Sequence, residues 1–456
     1  MLQDVVTADT IGAVLAPLVA TVTDGRAHPL AGQRVHFHVP VAQVLPVHIP
    51  MFLVADSGSE RVVDADVTTD NMGRATVGIE LGSFAGSTEV DVSLDSLRAV
   101  ARYTIEPGHA VNITVQPADT SLYVDGTAVV HVAAKDRGGN PVLTPAIFTS
   151  TGAAVSVDST GAVHGEDIGR TTVRAQVDSA AGEAAFSVVP RGRVAVSQAD
   201  GDLSADTAVF VVELDGSSAT PVYVGRALGI LAELDPTWSP NGQELAFVSE
   251  FPLFALHVTT VPGTPEPVLS DDVLRGQRAP VYSPDASWIY FSASPTSFTY
   301  HQLWRLHPDG TGLDSLTASN GDDDLQDNWP SPSPDGTRIA FISNRTGIQR
   351  LFFLDLATGA LTPAEIAARS VRWAPSGETL AYVTADGLEL HVVQTDGSGE
   401  RVLLAASSIE PAFSWSPDGA WIIARVPGHL SLVRVSDGLV LPLAPMRAFH
   451  EPSWMP

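Results

Sequence analysis

The chain has 456 residues, 44% of them hydrophobic and 17% charged, with 38 Gly and 33 Pro; this excludes a disordered chain and fits a turn-rich globular protein of about two to four domains. The formal net charge of −27 is spread, with 21 acids and 10 bases in residues 1–190 and 31 acids and 15 bases in residues 191–456. Such a surface repels nucleic acid and anionic lipid, because phosphate binding needs clustered Lys and Arg.

There is no cysteine, so disulfides, thiolate catalysis and Cys-ligated zinc are ruled out. Helical periodicity is almost absent. Short Val- and Thr-rich runs between Gly, Pro, Asp and Asn predict an all-β chain. The start, Met1-Leu-Gln-Asp-Val5, has neither the basic region nor the continuous apolar region of a signal peptide. The apolar stretch at residues 11–22 is too short to span a bilayer and contains Pro17, so no transmembrane segment is expected.

Residues 1–107 contain the turn signals Val22-Thr-Asp-Gly25, Pro29-Leu-Ala-Gly32 and Thr69-Asp-Asn-Met-Gly-Arg-Ala75, the strand Val35-His-Phe-His-Val39 and a closing Ala101-Arg-Tyr-Thr-Ile105. Strands at this spacing predict a β-sandwich. The order resembles bacterial Ig-like modules of the invasin and intimin type, although His28-Pro29 stands where those modules carry Gly-x-Pro. Residues 108–190 carry Val111-Asn-Ile-Thr-Val115, Val130-His-Val-Ala-Ala134, Val157-Asp-Ser-Thr-Gly-Ala-Val163 and Gly169-Arg-Thr-Thr-Val-Arg-Ala175. This pattern resembles the second class of bacterial Ig-like module and predicts a second sandwich. Such modules act as spacers or adhesive units on exported proteins. The resemblance therefore implies a periplasmic, extracellular or cell-surface location.

From residue 191 to 456 one phrase recurs: Trp238-Ser-Pro-Asn-Gly242, Tyr282-Ser-Pro-Asp-Ala286, Pro332-Ser-Pro-Asp-Gly336, Trp373-Ala-Pro-Ser-Gly377 and Trp415-Ser-Pro-Asp-Gly419, with a sixth opening at Trp454-Met-Pro456. The intervals of roughly 40 to 50 residues, built from short strands, predict a propeller with one blade per repeat. In each phrase Pro suits the second position of a type I turn, Asp the third, and Gly closes it. A continuous apolar run follows, such as Leu245-Ala-Phe-Val248 or Ile339-Ala-Phe-Ile342, as expected of a strand covered on both faces. A third, half-alternating strand then ends in an Asp-Gly-type turn.

Val194-Ala-Val-Ser197 and Val209-Phe-Val-Val-Glu-Leu-Asp-Gly216 are the second and third parts of a repeat without a phrase; Glu451-Pro-Ser-Trp454 is a phrase without its followers. Joined, they make one blade from both ends and predict six blades closed by the C-terminal strand, leaving no free edge. The repeats resemble those of the TolB propeller family, whose motif is Pro-x-Trp-Ser-Pro-Asp-Gly before an Ile-Ala-Phe-type strand. Tyr282, Pro332, Asn241 and Ser376 depart from it.

Three places are candidates for function. The residues just before each phrase, Asp235, Arg278, Asp327, Arg369, Glu410 and Glu451, would surround the mouth of an axial channel. A mostly negative rim takes a cation or a basic peptide; the plainer expectation is that such rim residues pair with one another. The loop Gly321-Asp-Asp-Asp-Leu-Gln-Asp-Asn328, with Asp322, Asp323, Asp324 and Asp327, offers oxygens of the kind Ca²⁺ takes, although its spacing is not that of an EF-hand and a solvated acidic loop is the plainer reading. His36 and His38, two apart on one strand, face the same side, with His48 nearby in sequence. No local carboxylate has a ligand spacing, so no metal site is assigned.

No nucleophile elbow, metalloprotease helix or phosphate loop is present as a motif. Related propellers precede α/β-hydrolase domains in prolyl-oligopeptidase-like peptidases, and no such domain is expected here. The resemblance implies a non-enzymatic exported protein whose propeller face binds a protein partner, with the sandwiches as spacer or attachment and no cofactor. Two alternatives stay open: a purely structural subunit of a surface assembly, and a metal-dependent carbohydrate-active enzyme using the channel.

Overall fold

Strands whose residues alternate between buried and exposed pack one face inward. Arg34–His38 follows this rule: Val35 and Phe37 are buried and the polar residues between them face out. The computed structural model describes residues 5–8, 11–41, 49–54, 60–198, 206–226, 235–249, 255–295, 300–318, 324–443, 446 and 449–456.

The first unit pairs a five-stranded sheet with a four-stranded one. The larger runs in the order Val5–Ala8, Leu97–Glu106, Gly86–Leu94, Arg34–His38, Asp64–Thr68, and the smaller Val14–Thr21, Arg74–Leu81, Met51–Val54, Arg61–Val62. Their inner faces share one core that includes Phe37, Met51, Leu53, Ile79, Val90 and Ile105.

The second unit is built on the sheet Asp119–Tyr123, Ala180–Val189, Gly169–Val177, Ile147–Ser150, with two three-stranded sheets beside it. Its core gathers Val115, Val163, Val173, Phe186 and Val188. Asn140 joins this unit to the first: its amide donates to the Ser83 carbonyl (3.0 Å) and its oxygen accepts the Ala85 N–H (2.9 Å).

The third unit is a six-bladed β-propeller. Among the described residues, six four-stranded sheets follow one another through Arg193–Trp454. The C-terminal strand Phe449–Trp454 enters the first of them beside Arg193–Gln198, with Val194 opposite Trp454 and Gln198 opposite Phe449. The ring therefore closes on hydrogen bonds between the two ends of the domain. The second strand of each blade is covered on both faces: Ile289–Ser294 and Trp421–Val426 are buried throughout, as continuous apolar runs require.

The recurring phrase has a common chemistry. The serine hydroxyl donates to the Asp or Asn two residues on (Ser239–Asn241 2.8 Å, Ser283–Asp285 2.6 Å, Ser333–Asp335 2.6 Å). It also accepts the N–H that opens the next strand (Glu244 2.8 Å, Trp288 2.9 Å, Arg338 3.0 Å). The last residue of the turn is left-handed, at φ +67° for Gly242, +59° for Ala286 and +69° for Gly336, which is why glycine recurs there.

The joint between the second unit and the propeller is a shared core. Tyr123 and Val189 pack with Val194, Leu214, Trp421 and Trp454. The Tyr123 hydroxyl lies 2.7 Å from the Glu213 carboxylate and accepts the Leu214 N–H at 3.0 Å. Burial, and then Glu213, push this phenol above the usual tyrosine range.

Candidate functional site

The innermost strands of the blades surround a central cavity of about 420 Å³. Register breaks interrupt several of these strands just before the phrase, between Arg278 and Val281, Asn328 and Ser331, and Ala368 and Ser370. At the position three residues before the phrase the chain turns left-handed without glycine: φ is +41° at Asp235, +48° at Ala279, +57° at Trp329 and +48° at Glu451. Such a conformation costs roughly 1–2 kcal/mol for most side chains and least for Asp and Asn. Strain of this kind persists where surrounding contacts over-determine it, and it concentrates at functional sites.

Those contacts run from blade to blade. Glu451 accepts the Asp235 N–H (3.0 Å), and Asp235 in turn accepts the Ala279 N–H (2.7 Å). One level along, serines of one blade accept the N–H that begins the next phrase: Ser453 from Trp238 (3.3 Å), Ser331 from Trp373 (2.9 Å), Ser414 from Trp454 (3.0 Å). The same residues line the cavity. Its wall and the cement between blades are therefore one structure.

Among the described residues, the charged side chains that line the cavity are Asp235, Glu451 and Arg372. Arg372 lies over the Trp329 ring, 5.4 Å from its centroid, and donates to the Val371 carbonyl at 3.1 Å. Enclosure by protein lowers its pKa to about 10, while the charge of Asp235 acts in the opposite direction. The guanidinium thus stays protonated at neutral pH, held by an aromatic face and an acid from a different blade. Trp238 and Trp373 also border the cavity, and their indole N–H groups are buried with no hydrogen-bond partner among the described residues. The phrase prolines, Pro240, Pro284, Pro334, Pro375, Pro417 and Pro456, complete the lining.

The residues singled out in the sequence fall into two groups. Asp235 and Glu451 border the cavity; Arg278, Asp327, Arg369 and Glu410 are not among its lining. Asp327 is fully buried, accepting from Ser343 (2.6 Å) and pairing with Arg345 (2.5 Å). Burial pushes its carboxyl up, against the lowering pull of Ser343 and Arg345. Glu410 pairs with His450 at 2.8 Å and Arg425 at 3.8 Å. Arg278 sits close enough to His301 to help lower that imidazole to about 4, burial being the larger cause.

In the acidic loop, Asp322 and Asp323 lie outside the described residues. Asp324 gives its backbone carbonyl to Asn344 (2.8 Å), and Asp327 is committed to the interior. His48 also lies outside the described residues. His36 and His38 are brought together with Asp64 and Asp66 of the adjacent strand.

Sequence reading missed Trp329 and Arg372. The signal that finds them is a fixed offset: the residue just before each phrase lines the cavity, and the residue three before does so at every phrase except that of Trp373, whereas the charged residues singled out from the sequence lie three, four or five residues back.

The TolB beta propeller domain model matches residues 185–456. A TolB homolog of Chlorobium luteolum is 30% identical over 154 residues, which are 33% of this chain and 32% of that protein. An uncharacterized protein of Agrobacterium fabrum is 28% identical over 161 residues, 32% of this chain and 53% of that protein. The chain thus spans about half or less of the length of these curated relatives. The crystal structure of TolB from Acinetobacter baumannii superposes with a TM-score of 0.49 at 19% identity, covering 68% of this chain and 83% of that one. With the domain model matched over well more than half of its residues, from the last strand of the second unit through the closing strand, this chain belongs to the TolB β-propeller family.

Proposed function

We propose that this is a non-enzymatic, exported binding protein whose propeller cavity receives an extended segment of a partner protein. The observation that carries the reading is the cavity lining. It combines an aromatic–guanidinium pair (Trp329 and Arg372) with two carboxylates (Asp235 and Glu451). A peptide with both basic and acidic groups matches these charges. Family membership supports the same reading, since a propeller is a platform whose loops and channel vary around a constant ring. In this proposal the two N-terminal sandwiches are Ig-like spacer or attachment modules.

The test is affinity co-purification of the full chain from the native envelope fraction. Wild type is compared with Asp235→Asn and Arg372→Met, which keep size and, for Asn, the acceptor for Ala279. A discrete protein retained by wild type and reduced at least tenfold in both variants supports the reading. Equal recovery with all three proteins contradicts it.

A further inference from the structure

We propose that His36, His38 and Asp64 form a binding site for a divalent transition-metal ion of the zinc class on the first sandwich. Strand register builds this site. Arg34–His38 pairs antiparallel with Asp64–Thr68, so His36 stands opposite Asp66 and His38 opposite Asp64. Alternation sends Val35, Phe37, Ala65 and Val67 into the core and all four polar side chains to the outer face.

The donor atoms converge. His36 Nε2 is 3.5 Å from Asp64 Oδ1, and His38 Nδ1 is 2.6 Å from the same oxygen. One ligand atom from each of the three residues lies within 4.8 Å of the others. Tetrahedral zinc with bonds of about 2.0–2.2 Å places its ligands about 3.3 Å apart. The first distance already suits an ion; the second is a hydrogen bond that opens by less than about 1 Å when a cation replaces the shared proton. The two rings are nearly parallel, 10° apart with centroids 6.4 Å apart, so both present an edge to Asp64.

A second layer supports the first. Asp66 Oδ1 lies 3.1 Å from His36 Nδ1, and Asp66 is itself held by Arg34 at 2.7 Å. A carboxylate on the far nitrogen fixes the tautomer and turns Nε2 toward the ion, the arrangement that metal-binding histidines use. Asp66 is thus a positioning residue. Two imidazoles and one carboxylate are a borderline set that prefers Zn²⁺ and its neighbours to Ca²⁺ or Mg²⁺. Side chains here are 39–54% exposed, leaving the fourth position open to water.

The experiment is isothermal titration of the full chain with ZnCl2 in a non-chelating buffer, with circular dichroism to verify the fold. We expect one saturable tight equivalent. His36→Asn, His38→Asn and Asp64→Asn each weaken it at least about 100-fold. Asp66→Asn keeps the equivalent but weakens it about 10–100-fold, and it alters the visible spectrum of the Co²⁺-loaded protein, which a merely structural role leaves unmoved. His109→Asn, at an exposed histidine elsewhere, changes nothing. Absence of a tight equivalent, its survival in the His36→Asn/His38→Asn double variant, or equal loss in His109→Asn overturns the proposal.

Discussion

Ala286 stands at φ +59°, where the neighbouring phrases place Gly242, Gly336, Gly377 and Gly419. Replacing it with glycine relieves a left-handed penalty of about 1–2 kcal/mol and returns roughly 0.4–1 kcal/mol through the entropy of the unfolded chain. Ala286→Gly should therefore raise the propeller's calorimetric transition, and Gly336→Ala should lower it by about 1 kcal/mol. At Gly336 an added Cβ meets nothing within 4 Å, so the cost there is purely conformational. The phrase acid titrates for the same local reason. Ser333, then the backbone and hydroxyl of Thr337, hold Asp335 at about 2, below its ordinary 3.8. A depressed carboxyl contributes stability that is complete above 3.8 and is lost as pH falls toward about 2. Denaturation midpoints measured from pH 5 to 2 should fall less steeply for Asp335→Asn than for wild type.

At the scale of elements, blades are fastened by single hydrogen bonds from the strand of one to the phrase of the next. Ser414→Ala leaves the Trp454 N–H without its 3.0 Å acceptor, a loss of about 1–3 kcal/mol for a buried donor. Because Trp454 belongs to the closing strand, hydrogen exchange should accelerate in Phe449–Trp454 before other inner strands. Unchanged protection there would show that the core, not this bond, secures the closure. These fastenings explain what was legible beforehand. The turn phrase carries its own chemistry, a hydroxyl, a carboxylate and a glycine within five residues, so it announces a blade wherever it stands. Closure was legible because parts of a repeat can be counted. The cavity's Trp329 was not, because it sits in the register break between Asn328 and Ser331, which depends on pairing between strands; Arg372 was not, because its aromatic partner Trp329 comes from the neighbouring blade. The partners of His36 and His38 were hidden for the same reason: Asp64 and Asp66 lie 26 to 30 residues away and arrive only through antiparallel register.

At the scale of the molecule, the three units are joined by specific groups. Asn140 clamps the first to the second through Ser83 and Ala85, and Tyr123 roots the second in the propeller's core. Tyr123→Phe keeps the ring but removes one of two acceptors of the buried Leu214 N–H, leaving the Gly192 carbonyl at 3.0 Å, and takes from Glu213 its 2.7 Å hydroxyl donor. Exchange at the Leu214 amide should quicken while the blade transitions stay in place. A short joint with a shared core ties the second unit to the first blade of the propeller.

The central claim is that the cavity itself receives a partner chain. A photo-reactive phenylalanine analogue replacing Trp329, at the cavity wall, tests it most directly, with the same analogue at exposed Met72 on the first sandwich as reference. Irradiation in native envelopes, followed by peptide mapping, should yield one discrete adduct from position 329, to a single extended segment, and none of that species from position 72. No adduct at 329, or the same adducts from both positions, would contradict the account.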